Sequence, residues 1–132
     1  MKAFAILGAA ALFALPALAH AADACPSGEY TVIRNSQIKP TGSVAGFAKA
    51  IEDHKAWYKS HGYTKDAFYW GQVMAVDPTT HQPKPVAGQY YTIHAASSDV
   101  PKEKQDAAWA AFVAEYGANS SITSTTILCM QK

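Results

Sequence analysis

The chain has 132 residues, is 49% hydrophobic, and carries 11 Lys and Arg against 10 Asp and Glu. That length holds one domain. Its lysines alternate with acids, as in Glu52-Asp53-His54-Lys55 and Lys102-Glu103-Lys104, so there is no basic stripe and nucleic acid is excluded as a partner class.

At the start, Lys2 precedes the apolar run AFAILGAAALFALPALA, and A-x-A sites fall at Ala17 and Ala19 or at Ala19 and Ala21. This reads as a secretory signal peptide over residues 1–21, leaving a domain of residues 22–132 that is periplasmic or secreted. The run meets Pro16 and is shorter than the roughly 20 apolar residues a membrane span needs, so no membrane attachment is expected after cleavage. Two cysteines, Cys25 and Cys129, sit at opposite ends of the exported domain. In an oxidising compartment such a pair reads as a disulfide. The alternatives are lipidation of Cys25, for which Asp23 and Ala24 are a poor context, and two free thiols.

The β-rich run EYTVIRNSQI predicts a first strand over residues 29–38. Lys39-Pro40-Thr41-Gly42 breaks it, and Ser43 stands where a helix N-cap would. Apolar residues at 44, 47, 48, 51 and 58 then mark one face of a helix that Gly62 ends as a left-handed cap. Strands follow over residues 66–76 and 86–96, joined by the polar hairpin DPTTHQPKP. The next segment predicts a second helix with Asp99 or Ser98 as N-cap, Pro101 in its first turn, and Gly117 as its end. The run Ser121 to Met130 predicts the last strand.

The order β-α-β-β-α-β is the ferredoxin-like split unit, an α+β fold with a four-stranded antiparallel sheet and two helices on one face. Right-handed crossovers place the third strand between the first and second, with the fourth on the other side of the first. The start of the first strand then lies beside the end of the last, where Cys25 and Cys129 stand. Neither face of the sheet shows a clean polar alternation, so the face away from the helices is expected to be covered by the same sheet of a second copy, making a homodimer.

The run Tyr30-x-Val32-x-Arg34, followed by QIKPTGSVAGF and HKAWYKSHGY, resembles the first strand and helix of the dimeric α/β-barrel superfamily, which includes antibiotic-biosynthesis-type monooxygenases, EthD-like and NIPSNAP-like proteins. The resemblance implies two sheets paired into a barrel and a small apolar ligand held between each sheet and its helices. It spans activities from cofactor-free oxygenation and isomerisation to haem breakdown and simple binding, so it does not choose among them.

At about 100° per residue, His54 falls roughly 60° and His61 roughly 80° from the centre of the apolar face of the first helix, and Trp57 lies further round on the exposed side. His54 at a pocket edge is the candidate general base, with Tyr58 and His94 orienting the substrate. The bland alternative makes both histidines boundary residues, and a cation in the last helical turn needs no function. Trp70, Met74, Tyr90, Phe112 and Tyr116 are candidate walls for a small apolar or aromatic molecule, or else ordinary core, and Arg34 is a candidate carboxylate clamp or interface ion pair. His54 and His61 are too far apart for the one-turn H-x-x-x-H pairing, and no carboxylate stands beside them at diagnostic spacing, so neither metal nor cofactor is called for. Ser43 and Ser60 lack a nucleophile context, and Glu52 and Asp53 face different directions. The expected function is therefore a small-molecule binder, in its catalytic form a cofactor-free oxygenase or isomerase. The competing expectations are a ligand carrier or sensor without turnover, and an interaction module without a pocket.

Overall fold

The computed structural model describes residues 25, 26 and 28–131; residues 1–21, read from the sequence as a signal peptide, lie outside them. The elements are β1 (Gly28–Ile38), α1 (Val44–Ser60), β2 (Ala67–Val76), β3 (Pro83–Ala95), a 3-10 turn (Lys102–Lys104), α2 (Ala107–Asn119) and β4 (Ser120–Gln131). The four strands form one antiparallel sheet in the order β2-β3-β1-β4, the ferredoxin-like arrangement expected from the sequence. Cys25 and Cys129 form a disulfide with their Cα atoms 5.4 Å apart, bridging 104 positions of sequence. The β1–β4 ladder sets Cys129 opposite Tyr30, which is why the two cysteines meet. Closing a loop of that length contributes on the order of 4 kcal/mol.

α1 begins at Ser43, whose side chain accepts from the Gly46 N–H at 2.9 Å. It ends in a Schellman motif. Gly62, at φ 84°, lets its own N–H reach Lys59 O and the Tyr63 N–H reach Tyr58 O, while the Tyr58 and Tyr63 rings pack 5.3 Å apart. Phe47, Ala50, Ile51 and Tyr58 fill the buried stripe.

Trp57 corrects the sequence reading, which put it on the exposed side. It is 4% exposed, its ring stacks on His61 with centroids 4.0 Å apart, and its indole N–H donates to Asp106 Oδ1 at 2.8 Å. The reason is that α1 packs against α2 as well as against the sheet, which widens its buried arc beyond a single stripe.

The start and end of α2 also differ from expectation. Ser98 donates both its N–H and its hydroxyl to Asp66, and the helix is capped by Asp106, which accepts from the Trp109 N–H at 2.9 Å. One carboxylate thus caps α2 and holds Trp57. At the other end α2 runs through Gly117 to Asn119.

Asn119 joins the two antiparallel helices. Its Oδ1 accepts from the Ser43 N–H at 2.9 Å, its Nδ2 donates to Glu115 O, and its backbone O accepts from the Lys39 N–H. A Cβ at Gly46 would lie 2.2 Å from Asn119 Oδ1. Gly to Ala inside a helix ordinarily stabilises by about 1 kcal/mol. Here Gly46→Ala is predicted to destabilise, by roughly 1–3 kcal/mol in urea unfolding, because the carboxamide must move. A gain in stability would show that Asn119 does not hold this position.

Candidate functional site

Residues directly opposite in an antiparallel ladder share a face. The registers set Val32 and Arg34 of β1 opposite His94 and Thr92 of β3, and the same two β3 residues opposite Phe68 and Trp70 of β2. This is the face beneath the helices. Between it and the helices lies a cavity of about 510 Å³, within the range of small-molecule sites. Arg34, Ser36, Thr92 and Ser120 contribute from the sheet side; Ile51, Trp109, Phe112 and Val113 contribute from the helices.

Of the residues singled out in the sequence, Arg34, His54, Tyr58, His94, Phe112 and Tyr116 all line this cavity. Three do not. Trp70 and Tyr90 pack against Phe47, and Met74 lies beyond a break in the β2–β3 register at Gln72/Met74, where it is largely exposed. Strict alternation along β2 cannot foresee that irregularity. His61 also stands apart: its Nδ1 lies 2.8 Å from Trp57 O, and its Nε2 3.3 Å from Asp106 Oδ2.

His54 is surrounded by rings. It stacks on Phe112 at 4.5 Å and meets Phe68 at 4.6 Å, Tyr58 at 5.1 Å and His94 at 5.6 Å edge-on. Its Nδ1 is 3.3 Å from the Tyr116 hydroxyl. Burial, reinforced by the nearby His94 and the Arg34 charge, lowers its pKa to about 3. At neutral pH the ring is uncharged. Burial also pushes the Tyr58 and Tyr116 phenols above their ordinary range, opposed in both by Arg34, so both keep their protons and can donate.

His94 belongs to a network that the sequence did not reveal. Its Nε2 lies 2.6 Å from Asp66 Oδ1, and the Asp66 side chain is fully buried. Asp66 also accepts from the Ser98 N–H and hydroxyl at 2.8 and 2.7 Å. On the other side of the ring, Nδ1 faces Ser97 Oγ at 3.2 Å. With Asp66 as acceptor, Nε2 carries the proton and Nδ1 accepts from Ser97. Burial lowers the His94 pKa, with Asp66 opposing it.

The Asp66-His94-Ser97 line has the connectivity of a nucleophile triad, and Ser97 lines the cavity. The neighbouring backbone donors are already engaged, Ser97 N–H with Tyr30 O and Ser98 N–H with Asp66. They therefore form no oxyanion hole. The network fixes His94 and joins the start of β2 to the end of β3.

The two depressed histidines set a pH dependence. In the unfolded chain each takes up a proton near pH 6.5, whereas folded His54 does so only near 3. The unfolded state binds more protons between those values, so this contribution to stability is complete above about pH 6.5 and declines as pH falls through the window. His94 acts in the same direction. The predicted result is a flat His54 ring-carbon NMR shift from about pH 8 to about pH 5, with a lower urea midpoint at the acid end. A His54 titration near its ordinary midpoint would refute the buried, neutral ring.

No protein-family model and no curated protein matches the chain. Among solved structures, the crystal structure of At3g17210 from Arabidopsis thaliana is similar, with 16% identity and a TM-score of 0.45 over 79% of this chain and 94% of that one.

Proposed function

We propose that the protein is an exported binder of a small, largely apolar or aromatic molecule, held between the sheet and the two helices. The observation that carries this reading is the cavity beside His54, walled by rings and aliphatic side chains and floored by a few hydroxyl groups and Arg34. An interaction module without a pocket is less well supported, because Trp57, the ring expected to form its docking surface, is buried. The disulfide suits an oxidising compartment, and among the described residues no helix is long and apolar enough to cross a membrane.

The same reading includes a second copy on the far side of the sheet, as in the dimeric α/β-barrel proteins that the sequence resembles. Ile33 and Ile93 pair across that face, and Tyr91 and Leu128 are each 37% exposed on it. Apolar side chains in the middle of a sheet face favour a self-complementary contact.

A catalytic version of this function has a specific observation in its favour: an uncharged imidazole stands in the cavity with no carboxylate paired to it among the described residues. With Nδ1–H donating to the Tyr116 oxygen, Nε2 presents its lone pair to a bound molecule and can take a proton from it. Tyr58 is the donor to a substrate oxygen, and His94, held by Asp66, fixes the neighbouring wall. This is proton-transfer chemistry of the kind an isomerase or a cofactor-free oxygenase needs.

Val113, on the cavity wall, allows a test. Naphthalene is predicted to raise the melting temperature of the wild-type protein, by linkage between binding and unfolding, and Val113→Trp is predicted to abolish that rise while leaving the unliganded melt within a few degrees. An equal rise in the variant would place binding elsewhere. His54→Ala should still bind naphthalene, and on any substrate that is turned over it should lose activity. Retained turnover would remove His54 from the chemistry and leave the binder.

A further inference from the structure

The chemical class of the bound molecule can be narrowed from one charge. Arg34 is the sole formal charge among the described residues lining the cavity, where no Asp, Glu or Lys is found. It makes no ion pair with any described carboxylate. Asp66, the buried acid beside the cavity, is already held by His94 and Ser98. The Arg34 side chain is half-buried at a central strand, with Thr92 of β3 and Thr125 of β4 directly opposite it in the two ladders.

A half-buried guanidinium that lines a cavity with aromatic rings and hydroxyls, without a counter-ion among the described residues, is an unfavourable arrangement for a purely structural residue. It becomes favourable when an anion occupies the cavity. The planar fork of Arg matches a carboxylate with two parallel hydrogen bonds. Ser36 and Thr92 line the sheet side of the cavity with hydroxyl groups able to donate to an oxyanion, whereas Ser120 Oγ donates to Tyr116 O, and Trp109, Phe112 and Val113 offer an apolar roof. A second cation, which a dianionic phosphate would favour, is lacking among the described lining residues.

We propose that Arg34 is the anion-recognising residue of this cavity, and that the molecule held there is a monocarboxylate on an aromatic or apolar body, its head on the sheet and its body against the helices. This rests on the reading that the cavity binds a small apolar molecule, and it adds the charge. An anion at Arg34 would also ease protonation of His54, whose ring that cation now opposes.

Isothermal titration with 2-naphthoate and its neutral isostere 2-naphthamide separates the two claims. Wild-type protein is expected to bind both, with the acid tighter by about tenfold or more, the scale of a charge-assisted contact. Arg34→Met is expected to bind the two equally and, without ligand, to melt no lower than wild type. Arg34→Lys keeps the charge without the fork and is expected to retain part of the preference. Equal binding of acid and amide by the wild-type protein would overturn the anion site while leaving the apolar cavity standing. Binding of neither would remove the cavity reading as well. Tighter binding of 2-naphthyl phosphate than of 2-naphthoate would overturn the monocarboxylate assignment, and a markedly lower melt for Arg34→Met would make Arg34 a structural residue.

Discussion

The stack of His54 on Phe112, with ring centres 4.5 Å apart, joins α1 to α2 directly beside the cavity. Its position depends on the core stripe, because Ile51 and Tyr58, one turn before and after His54, are both buried. The helix face that carries His54 is therefore held toward the core. Asn119 joins the helices at one end and Asp106 at the other. Between those two polar ties the contact between α1 and α2 is mostly aromatic, and this contact forms one side of the site.

Burial then determines the chemistry. Removing His54 from water, with Arg34 and His94 close by, leaves it neutral, and the same desolvation keeps Tyr58 and Tyr116 protonated. His94 is fixed by a buried carboxylate. The site thus holds two neutral imidazoles, two phenols and one guanidinium. That set can bind an anion and shift a proton. It is poorly suited to nucleophilic acyl transfer, because the backbone donors near Ser97 are engaged elsewhere.

Much of the fold was legible because it rests on local signals. Ser43, Gly62 and the 44–58 periodicity defined α1, and the cysteines at the two ends of the domain agreed with a topology derived from handedness alone. The errors lie where tertiary packing overrides a single-helix count. Trp57 looked exposed on one helix and is buried by two, and the α2 cap moved to Asp106 because Ser98 serves Asp66. Of the site, His54, Tyr58, His94 and Arg34 were identifiable by residue type and face. Asp66 was not, because an acid at the start of a strand looks like any turn residue until the fold brings it to His94 28 positions later. Met74 was missed for a similar reason: between Gln72 and Met74 the ladder advances two residues in β2 and five in β3, and alternation along β2 does not show extra residues in its partner.

A cavity that serves a ligand is occupied in life, and native mass spectrometry of the protein purified from its own source is the most direct test. The expected spectrum shows a small non-covalent adduct on the folded chain, released on activation as a singly charged anion with an apolar body. A bare chain mass under the gentlest ionisation conditions, together with no shift on incubation with small aromatic acids, would contradict it.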